Sequence, residues 1–262
     1  MKKVYKIVPV ILILAIGALS IRLFVVLTPK RSENADTSQG VEYVQQIETV
    51  NVQKAEEEVR KAREKNSGKE NRKKILKALK DGNFELACKD IIISGDSIVK
   101  SIMEYGILST SHVMAEIGAG TEYLDDISKD IIAANPKYLI LHFGENQVVS
   151  EEHAVVFADA YGEIIKQLKK KLPNTKIYVD SIFPVLEKAY GNEPNLAHIP
   201  AYNAEIKKMA KEIGVTYLDY DELWASISPD YYDMDGIHPV AKFYTEQYLP
   251  FVLAEVGYKI DE

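Results

Sequence analysis

Ile91-Ile92-Ile93-Ser94-Gly95-Asp96-Ser97 is the stretch of sequence that decides the fold. Three consecutive β-branched residues predict a buried strand, and that strand passes directly into Gly-Asp-Ser. Ile98, Val99 and Ile102 then follow with helical spacing. A serine at such a turn lies beside the free N–H groups of a helix N-terminus, where an anion is stabilised. The position suits a nucleophile, although a serine that only caps the helix would give the same pattern.

Four further short apolar segments alternate with helical patterns after Asp90. Strands are predicted near residues 112–117, 138–143, 176–179 and 215–218, and helices over 121–134, 151–172, 200–213 and 240–256. Five short strands alternating with helices predict an α/β domain whose parallel sheet is covered on both faces. Ligands of such sheets bind beyond the carboxyl ends of the strands. The loops that follow the strands are therefore the candidate functional loops.

Four of these loops carry glycine, and three of them also carry polar side chains. They are Gly95-Asp96-Ser97, Gly118-Ala119-Gly120, Gly144-Glu145-Asn146 and Asp235-Gly236-Ile237-His238. Acyl transfer by a serine needs a general base, a group that holds the tautomer of the base, and donors for the oxyanion. His238 can be the base and Asp235 can hold its other ring nitrogen. Glycine amides and the Asn146 side chain can be the donors.

In this order, the four motifs resemble those of the SGNH/GDSL family of serine esterases and acyltransferases, over about residues 90–256. The resemblance implies a three-layer α/β/α sandwich with a five-stranded parallel sheet of the flavodoxin-like type. It also implies a catalytic triad of Ser97, Asp235 and His238. Ser97, Gly120 and Asn146 would form the oxyanion hole, and the family uses neither a metal nor an organic cofactor.

Two positions depart from the family pattern. Gln147 stands where the third motif usually has Asp, and this change can alter the support of the loop without removing the Asn146 donor. The second motif is looser than usual, so that Gly118 is an alternative to Gly120 as an oxyanion donor. The spacing to the helix that follows favours Gly120.

The N-terminal segment has a different composition from the rest. Three lysines among the first six residues precede an uncharged apolar run from Ile7 to Ile21, and Leu23–Leu27 extends the run beyond Arg22. The combined length is sufficient to span a hydrocarbon core, which predicts a membrane anchor within residues 1–31 and a catalytic domain outside the cytoplasm. The small residues of Ala18-Leu19-Ser20 leave cleavage of a signal peptide, and hence secretion, as the alternative.

Residues 32–88 are predicted to be a polar linker followed by a helical stalk. An amphipathic pattern runs from Val41 to Arg63, Asn66-Ser67-Gly68 interrupts it, and a second helical pattern covers Glu70 to Lys80. The first pattern has too few heptads to predict an oligomeric state. The predicted division of the chain is thus an anchor at 1–31, a linker and stalk at 32–88, and the SGNH-like domain at 89–262.

Composition excludes several classes of function. A formal net charge of −7 over 262 residues gives no general basic surface for nucleic acid. The single cysteine, Cys88, cannot form an intrachain disulfide and is predicted to be a packing residue. The spacing of Asp230, Asp233 and Asp235 does not match a calcium loop. Tyr123 occupies the third glycine position of a dinucleotide fingerprint, which argues against that kind of site.

The sequence predicts a membrane-anchored extracytoplasmic serine esterase acting on a small-molecule or glycan ester, acetyl esters among them. An O-acyltransferase acting on a cell-envelope polysaccharide and a non-catalytic glycan-binding envelope protein are the alternatives. The long segment from Pro184 to Pro200 is predicted to form one wall of the substrate site. Trp224, Tyr231 and Tyr232 are either a second, sugar-binding wall or core residues.

Overall fold

The computed structural model describes residues 73–258 and four isolated earlier positions, 54, 57, 58 and 70. The predicted anchor at 1–31 and most of the predicted linker and stalk lie outside the described residues. Among the residues that are described, no helix combines the length and apolar character needed to cross a membrane. The chain divides after residue 64, and every element described below belongs to the second unit, Lys65–Glu262.

Five strands and six principal helices alternate along this unit. The strands are β1 (Ile91–Gly95), β2 (Val113–Ala115), β3 (Tyr138–His142), β4 (Lys176–Asp180) and β5 (Thr216–Leu218). The helices are α1 (Ser97–Glu104), α2 (Thr121–Asp126), α3 (Ser128–Ala134), α4 (His153–Lys171), α5 (Ile199–Ile213) and α6 (Leu249–Glu255). Shorter helical turns cover Phe84–Ala87, Glu145–Gln147, Glu187–Gly191, Pro194–His198, Asp221–Trp224, Pro229–Tyr231 and Ala241–Phe243, with a π turn at Tyr244–Tyr248 and helical residues at 73–80.

The strands form one parallel sheet in the order β2-β1-β3-β4-β5. The predicted α/β fold with a five-stranded parallel sheet is therefore confirmed. The connection after β1 leads outward to β2, and the chain then returns to place β3 on the other side of β1. Such a change of direction opens a crevice at the carboxyl ends of β1 and β3, where α/β proteins bind their ligands.

Side chains of the central strands alternate between two apolar clusters. Ile91 and Ile93 pack in the first cluster with α1 and α6, whereas Ile92 packs in the second with α4 and α5. β3 alternates in the same way, with Ile140 in the first cluster and Leu141 in the second. Because both faces of the sheet are covered, every position of β1 and β3 is buried. This explains why these strands are uninterrupted apolar runs rather than alternating ones.

Two of the predicted helices are interrupted. The helix predicted over 121–134 consists of α2 and α3, which meet at Ile127, and Asn135 ends α3 in the left-handed conformation with a φ of 44°. The helix predicted over 240–256 contains the π turn at Tyr244–Tyr248. In both cases the apolar spacing continues across the interruption, so the sequence pattern contains no sign of it.

Residues 73–88, which the sequence pattern assigns to the linker and stalk, pack against the sheet. Ile75, Ala78 and Cys88 are buried in the first cluster. Burial raises the pKa of the Cys88 thiol to about 12, and the nearby Glu85 carboxylate adds to this effect. The thiol is therefore un-ionised at neutral pH and acts as an apolar packing group.

Candidate active site

Three polar side chains from distant parts of the sequence meet at the carboxyl end of β1. Ser97 Oγ lies 3.0 Å from His238 Nε2, across 141 residues of sequence. On the other side of the imidazole, His238 Nδ1 lies 2.7 Å from Asp235 Oδ2. The side chains of His238 and Asp235 keep exposed fractions of 36% and 44%, so a substrate can reach them from solvent. The structure thus brings together the three residues predicted to form the triad.

Asp96, not Ser97, caps the helix that begins at this turn. Asp96 Oδ1 accepts a hydrogen bond of 3.0 Å from the Ile98 N–H, and Ser97 is the first residue of α1. A serine at this turn could serve either as the helix cap or as a nucleophile. Here the cap is its neighbour, Asp96. The Ser97 hydroxyl is consequently free to bond to His238. Sequence reasoning did not identify Asp96 as the cap, although Asp is among the best N-cap residues.

Gly95 allows β1, β3 and α1 to approach closely at this turn. A Cβ atom at Gly95 would lie 2.5 Å from the His142 carbonyl oxygen and 2.4 Å from Val99 Cγ2. Both positions are occupied by well-packed elements, so no side chain fits. The glycine of the Gly-Asp-Ser motif is therefore required by packing directly below the serine.

Asp235 organises the turn that presents the histidine. Its Oδ1 atom accepts hydrogen bonds from the backbone N–H groups of Ile237 (2.8 Å) and His238 (3.0 Å). Partial burial raises the pKa of the Asp235 carboxyl, but these two bonds and the bond from the His238 ring outweigh it, and the net pKa is lowered. Gly236 occupies the left-handed region with a φ of 77°, which a non-glycine residue adopts only with strain. Asp235 is therefore held as a carboxylate.

The position of the carboxylate determines which imidazole tautomer the turn favours. A carboxylate that accepts from Nδ1–H places the remaining lone pair of neutral imidazole on Nε2. Nε2 is the atom that faces the Ser97 hydroxyl. In this arrangement the hydroxyl donates to Nε2 and the imidazole can take its proton.

The predicted oxyanion donors lie on the loops that follow β2 and β3. Asn146 Nδ2 donates one hydrogen bond of 3.1 Å to the Ala119 carbonyl, which leaves the second amide hydrogen for another acceptor. Gly120 is buried and precedes α2 directly. Gly118 is exposed, has a φ of 73°, and has open space around its Cα. Of the two alternative glycines, Gly120 is the one enclosed by the β3 loop.

Gln147 connects these two loops. Its Oε1 atom accepts a hydrogen bond of 2.8 Å from the Thr121 N–H at the start of α2. The Nε2 atom lies 3.4 Å from Thr121 Oγ1. The glutamine that replaces the usual Asp of the family therefore reaches across to the second loop and holds Gly120 and Asn146 beside each other. The sequence gives no sign of this contact.

The segment between β4 and α5 packs beside the Asp235 turn. The Leu186 N–H donates to the Gly236 carbonyl (2.8 Å), and Lys188 Nζ donates to the Asp233 carbonyl (3.3 Å). The segment therefore borders the site on this side. Trp224 is half-buried and packs against the first cluster, where its ring stacks on Phe243 with centroids 4.9 Å apart.

Ionisable side chains beside the Ser97 turn include Asp96 and His142, which are buried, and Glu145, which is half-buried. Burial raises the pKa of the Asp96 carboxyl, and the positive charge of His142 opposes this rise. Burial also raises the pKa of Glu145 well above its usual range, and the charges of Asp96 and Asp235 add to the effect. Within residues 73–258, no three His, Cys, Asp or Glu side chains are arranged to hold a metal ion.

Comparison with known proteins identifies the family of the chain. Residues 105–245, more than half of the sequence, match the model of the GDSL-like Lipase/Acylhydrolase family. The match includes Gly120, Asn146, Asp235 and His238, and begins after Ser97. Among curated proteins, no sequence matches this chain.

Solved structures of low sequence identity are similar to this one. A GDSL-like lipase from Bacteroides thetaiotaomicron is 16% identical, with 65% of this chain and 88% of that chain covered and a TM-score of 0.48. A lipase/acylhydrolase from Enterococcus faecalis is 14% identical, with 63% and 94% covered and a TM-score of 0.47. A variant of Axe2, an acetyl xylan esterase from Geobacillus stearothermophilus, is 19% identical, with 66% and 96% covered and a TM-score of 0.46.

The family match spans three of the four motif loops of the sheet and includes two of the three side chains that meet at its edge. By that match the chain belongs to the GDSL-like lipase/acylhydrolase family, a family of serine ester hydrolases.

Proposed function

We propose that this protein is a serine esterase whose nucleophile is Ser97, whose general base is His238 and whose base-orienting carboxylate is Asp235. The observation that carries the proposal is the continuous contact Ser97 Oγ–His238 Nε2–His238 Nδ1–Asp235 Oδ2, at 3.0 and 2.7 Å. Both distances are within the range of hydrogen bonds through which a base activates a hydroxyl. The family match to ester hydrolases supports the same reaction class.

The first half of the reaction forms an acyl-enzyme. His238 Nε2 takes the Ser97 proton while Oγ attacks the ester carbonyl, and the imidazolium is stabilised by the Asp235 carboxylate. The negative oxygen of the tetrahedral intermediate accepts hydrogen bonds from the N–H groups of Ser97 and Gly120 and from the free amide hydrogen of Asn146. His238 then gives its proton to the departing alcohol.

The second half releases the acyl group. Water enters from the solvent-exposed side of His238, loses a proton to Nε2 and attacks the acyl carbonyl. The same three donors stabilise the second oxyanion, and the proton returns to Ser97 Oγ as the carboxylic acid leaves. No step needs a group other than the substrate, water and these side chains.

The test is hydrolysis of 4-nitrophenyl acetate by the full chain and by Ser97→Ala. The wild type is expected to hydrolyse the ester and Ser97→Ala to lose at least about 10³-fold in kcat/KM. Ser94→Ala is the matched control, because Ser94 lies three residues earlier and its buried Oγ has no hydrogen-bond partner within the described residues. Equal activity of wild type and Ser97→Ala would contradict the proposal, provided that Ser94→Ala is also active.

Transfer of the acyl group to an alcohol is the second candidate reaction at this site. The exposed fractions of His238 and Asp235 leave room for an acceptor larger than water. Mass analysis of an oligosaccharide incubated with enzyme and acyl donor separates the two reactions. An acylated oligosaccharide above the no-enzyme control supports transfer, whereas free carboxylic acid as the only product supports hydrolysis.

We also propose that the enzyme is held outside the cytoplasm by a membrane anchor within residues 1–31. The support is the basic start and the long apolar run of the sequence. Mass spectrometry of the protein from fractionated cells tests this. An intact N-terminus in the membrane fraction supports the anchor, and a mature chain that begins after the Ala18-Leu19-Ser20 segment in the medium supports secretion instead.

A further inference from the structure

A second histidine–carboxylate pair lies inside the protein, behind the exposed one. His142 Nδ1 lies 3.3 Å from Asp180 Oδ2. Both side chains are buried, with exposed fractions of 1% for His142 and 0% for Asp180. His142 is the last residue of β3, and Asp180 is the last residue of β4. The pair therefore sits at the same edge of the sheet as Ser97. The proposed reaction leaves both residues without a role.

Two phenols donate hydrogen bonds to the Asp180 carboxylate. Tyr220 Oη donates to Asp180 Oδ1 (3.0 Å), and Tyr248 Oη donates to Asp180 Oδ2 (2.9 Å). Hydrogen bonds from two phenols stabilise the ionised form of a buried carboxylate. A buried carboxylate also needs a positive charge nearby, since an isolated one is very costly. Among the described residues, the side chain in contact with Asp180 that can carry this charge is His142.

Asp96 follows the strand that pairs with the strand of His142, and the two side chains interact through their charges. Gly95 is the register partner of His142 in the parallel pair β1–β3, so Asp96 follows directly at the end of the neighbouring strand. Asp96 has an exposed fraction of 0%, and its Oδ2 atom has no hydrogen-bond partner within the described residues. Both ring nitrogens of His142 are likewise buried without a hydrogen bond there, so that Nδ1 meets Asp180 as an ion-pair contact. Ring nitrogens of His142 and a carboxyl oxygen of Asp96 are thus buried without hydrogen bonds at adjacent strand ends.

We propose that His142 and Asp180 are positioning residues for the nucleophile, and this inference rests on the proposed function of Ser97. A buried imidazolium at His142, stabilised by Asp180, supplies the positive charge that keeps Asp96 ionised. Ionised Asp96 caps α1 at the Ile98 N–H and thereby fixes the turn that carries Ser97. Its charge also attracts the imidazolium that forms on His238 during the reaction.

The electrostatics of the surrounding groups agree with this arrangement. Burial alone would lower the pKa of His142, but the contact with Asp180 and the negative charges of Asp96 and Asp180 outweigh it, and the net pKa is raised. The other titratable groups that act on Asp96 or Asp180 are His238, Glu145 and the phenols of Tyr161, Tyr217, Tyr220, Tyr244 and Tyr248. Burial raises the pKa of Glu145 and of these phenols, so that the phenols are neutral at pH 7. Among these groups, His142 is the one that contacts Asp180 and can carry a positive charge.

The kinetic test compares the pH profiles of kcat/KM for wild type and His142→Gln. Glutamine keeps a polar side chain but cannot carry a charge, so Asp96 takes up a proton at a higher pH than in the wild type. The acidic limb of the profile is expected to move up by about one pH unit, with a loss in kcat of about 10-fold at pH 7 and little change in KM. His112→Gln is the matched control, because His112 is also buried against a carboxylate, Glu85, but lies at the start of β2. Its profile is expected to coincide with that of the wild type.

Asp96→Asn shows whether His142 acts through Asp96. Asparagine can still cap the helix but carries no charge. In the Asp96→Asn background, His142→Gln is expected to change kcat/KM by less than twofold, because the charge on which it acts is absent. An unshifted acidic limb in His142→Gln, or an equal loss in both backgrounds, would overturn the inference.

A measurement on the unmodified protein decides the case if His142→Gln does not fold. The chain has only five histidines, so nuclear magnetic resonance of ¹⁵N-histidine-labelled full chain resolves each ring. One buried ring with both nitrogens protonated at pH 7.5, lost in Asp180→Asn, supports the inference, and a neutral His142 ring overturns it. This result does not depend on activity. Failure of the proposed function would instead appear as a wild type without esterase activity.

Discussion

The two edges of the parallel sheet satisfy their buried polar groups to different degrees. At the amino edge, where the strands begin, Thr175 Oγ1 donates to the Pro136 carbonyl (2.6 Å), and His112 Nδ1 lies 3.0 Å from the Ile91 carbonyl. At the carboxyl edge, buried atoms of Asp96, His142 and Glu145 have no hydrogen-bond partner within the described residues. Unpartnered buried polar groups are rare in proteins and concentrate where function requires them.

We infer from this difference that the amino edge of the sheet serves stability and that the carboxyl edge serves the proposed reaction. Thr175 and His112 at the amino edge are engaged in hydrogen bonds with the backbone, and their substitution should affect folding only. Polar groups of the carboxyl edge are held by backbone and by each other in positions that leave reactive atoms free, and their removal should affect turnover first. Substitutions at the two edges, compared for their effects on turnover and on stability, test this difference.

The largest effect is expected from His238→Gln, compared with His112→Gln at the opposite edge. His238→Gln removes the proposed general base, and kcat/KM for an aryl ester should fall by about 10⁵-fold. His112→Gln should keep activity within twofold and lower the free energy of unfolding by about 1–2 kcal/mol, since it breaks a buried hydrogen bond. Similar losses of activity in the two variants would remove the distinction between the edges.

Asp235→Asn should have the next largest effect. Asparagine can donate to Nδ1 and favour the wrong tautomer of His238, so kcat should fall by about 10³–10⁴-fold. The lowered pKa of Asp235 means that its ionisation stabilises the fold above pH ~3.8, and this contribution is lost as the pH falls through the folded-state pKa. Denaturant unfolding between pH 3 and pH 7 should therefore show the wild type and Asp235→Asn converging at the acidic end. A stability difference that is constant with pH would contradict the assignment of Asp235.

Asn146→Ala should lower kcat by about 10²-fold with little change in KM, because the amide is proposed to bind the oxyanion and not the substrate carbonyl. Asn192→Ala is the control, since Asn192 is exposed on the segment beside the Asp235 turn. Steady-state kinetics with a single ester measures both variants. A rise in KM with unchanged kcat would assign Asn146 to ground-state binding instead.

Gly120→Ala and Gly118→Ala separate the two alternative oxyanion donors. A Cβ at Gly120 would lie 2.7 Å from Gln147 Cδ and force the two loops apart, so activity should fall by about 10-fold. A Cβ at Gly118 meets nothing within 4 Å, and its cost is backbone strain of about 1 kcal/mol at a positive φ. Loss of activity in Gly118→Ala alone would reverse the assignment.

The smallest effect on activity is expected from Thr175→Val at the amino edge. The substitution is close to isosteric and leaves the Pro136 carbonyl without its donor, which should cost about 1–2 kcal/mol of stability. Ester hydrolysis should be unchanged within error. A loss of turnover comparable to that of the carboxyl-edge variants would contradict the division between the edges.

The sequence predicted the sheet and the position of its loops because their signals are local. Three isoleucines in a row, alternation of strand and helix patterns, and motifs at strand ends suffice to predict a parallel sheet with a crevice beyond β1 and β3. The resemblance of these motifs to the SGNH/GDSL family predicted Ser97, Asp235, His238, Gly120 and Asn146 as site residues, and their catalytic roles stay predictions.

The contacts that support these residues could not be predicted, because they depend on three-dimensional packing. The cap formed by Asp96, the bridge from Gln147 to Thr121 and the contact between His142 and Asp180 join residues whose relation is set by register and side-chain direction. The break at Ile127 and the π turn at Tyr244–Tyr248 leave the apolar spacing intact, so the periodicity of the sequence does not indicate them. An apolar pattern reports which face is buried, not which polar atoms meet.

The most direct test of the account is labelling of the folded full chain with a fluorophosphonate, followed by mass spectrometry of its peptides. A serine activated by a base reacts with such a probe, whereas other serines do not. We expect a single modification, on Ser97, that is lost after unfolding in guanidinium and in His238→Gln. An active enzyme whose label is on another residue, or a Ser97 that reacts equally well without His238, would contradict it.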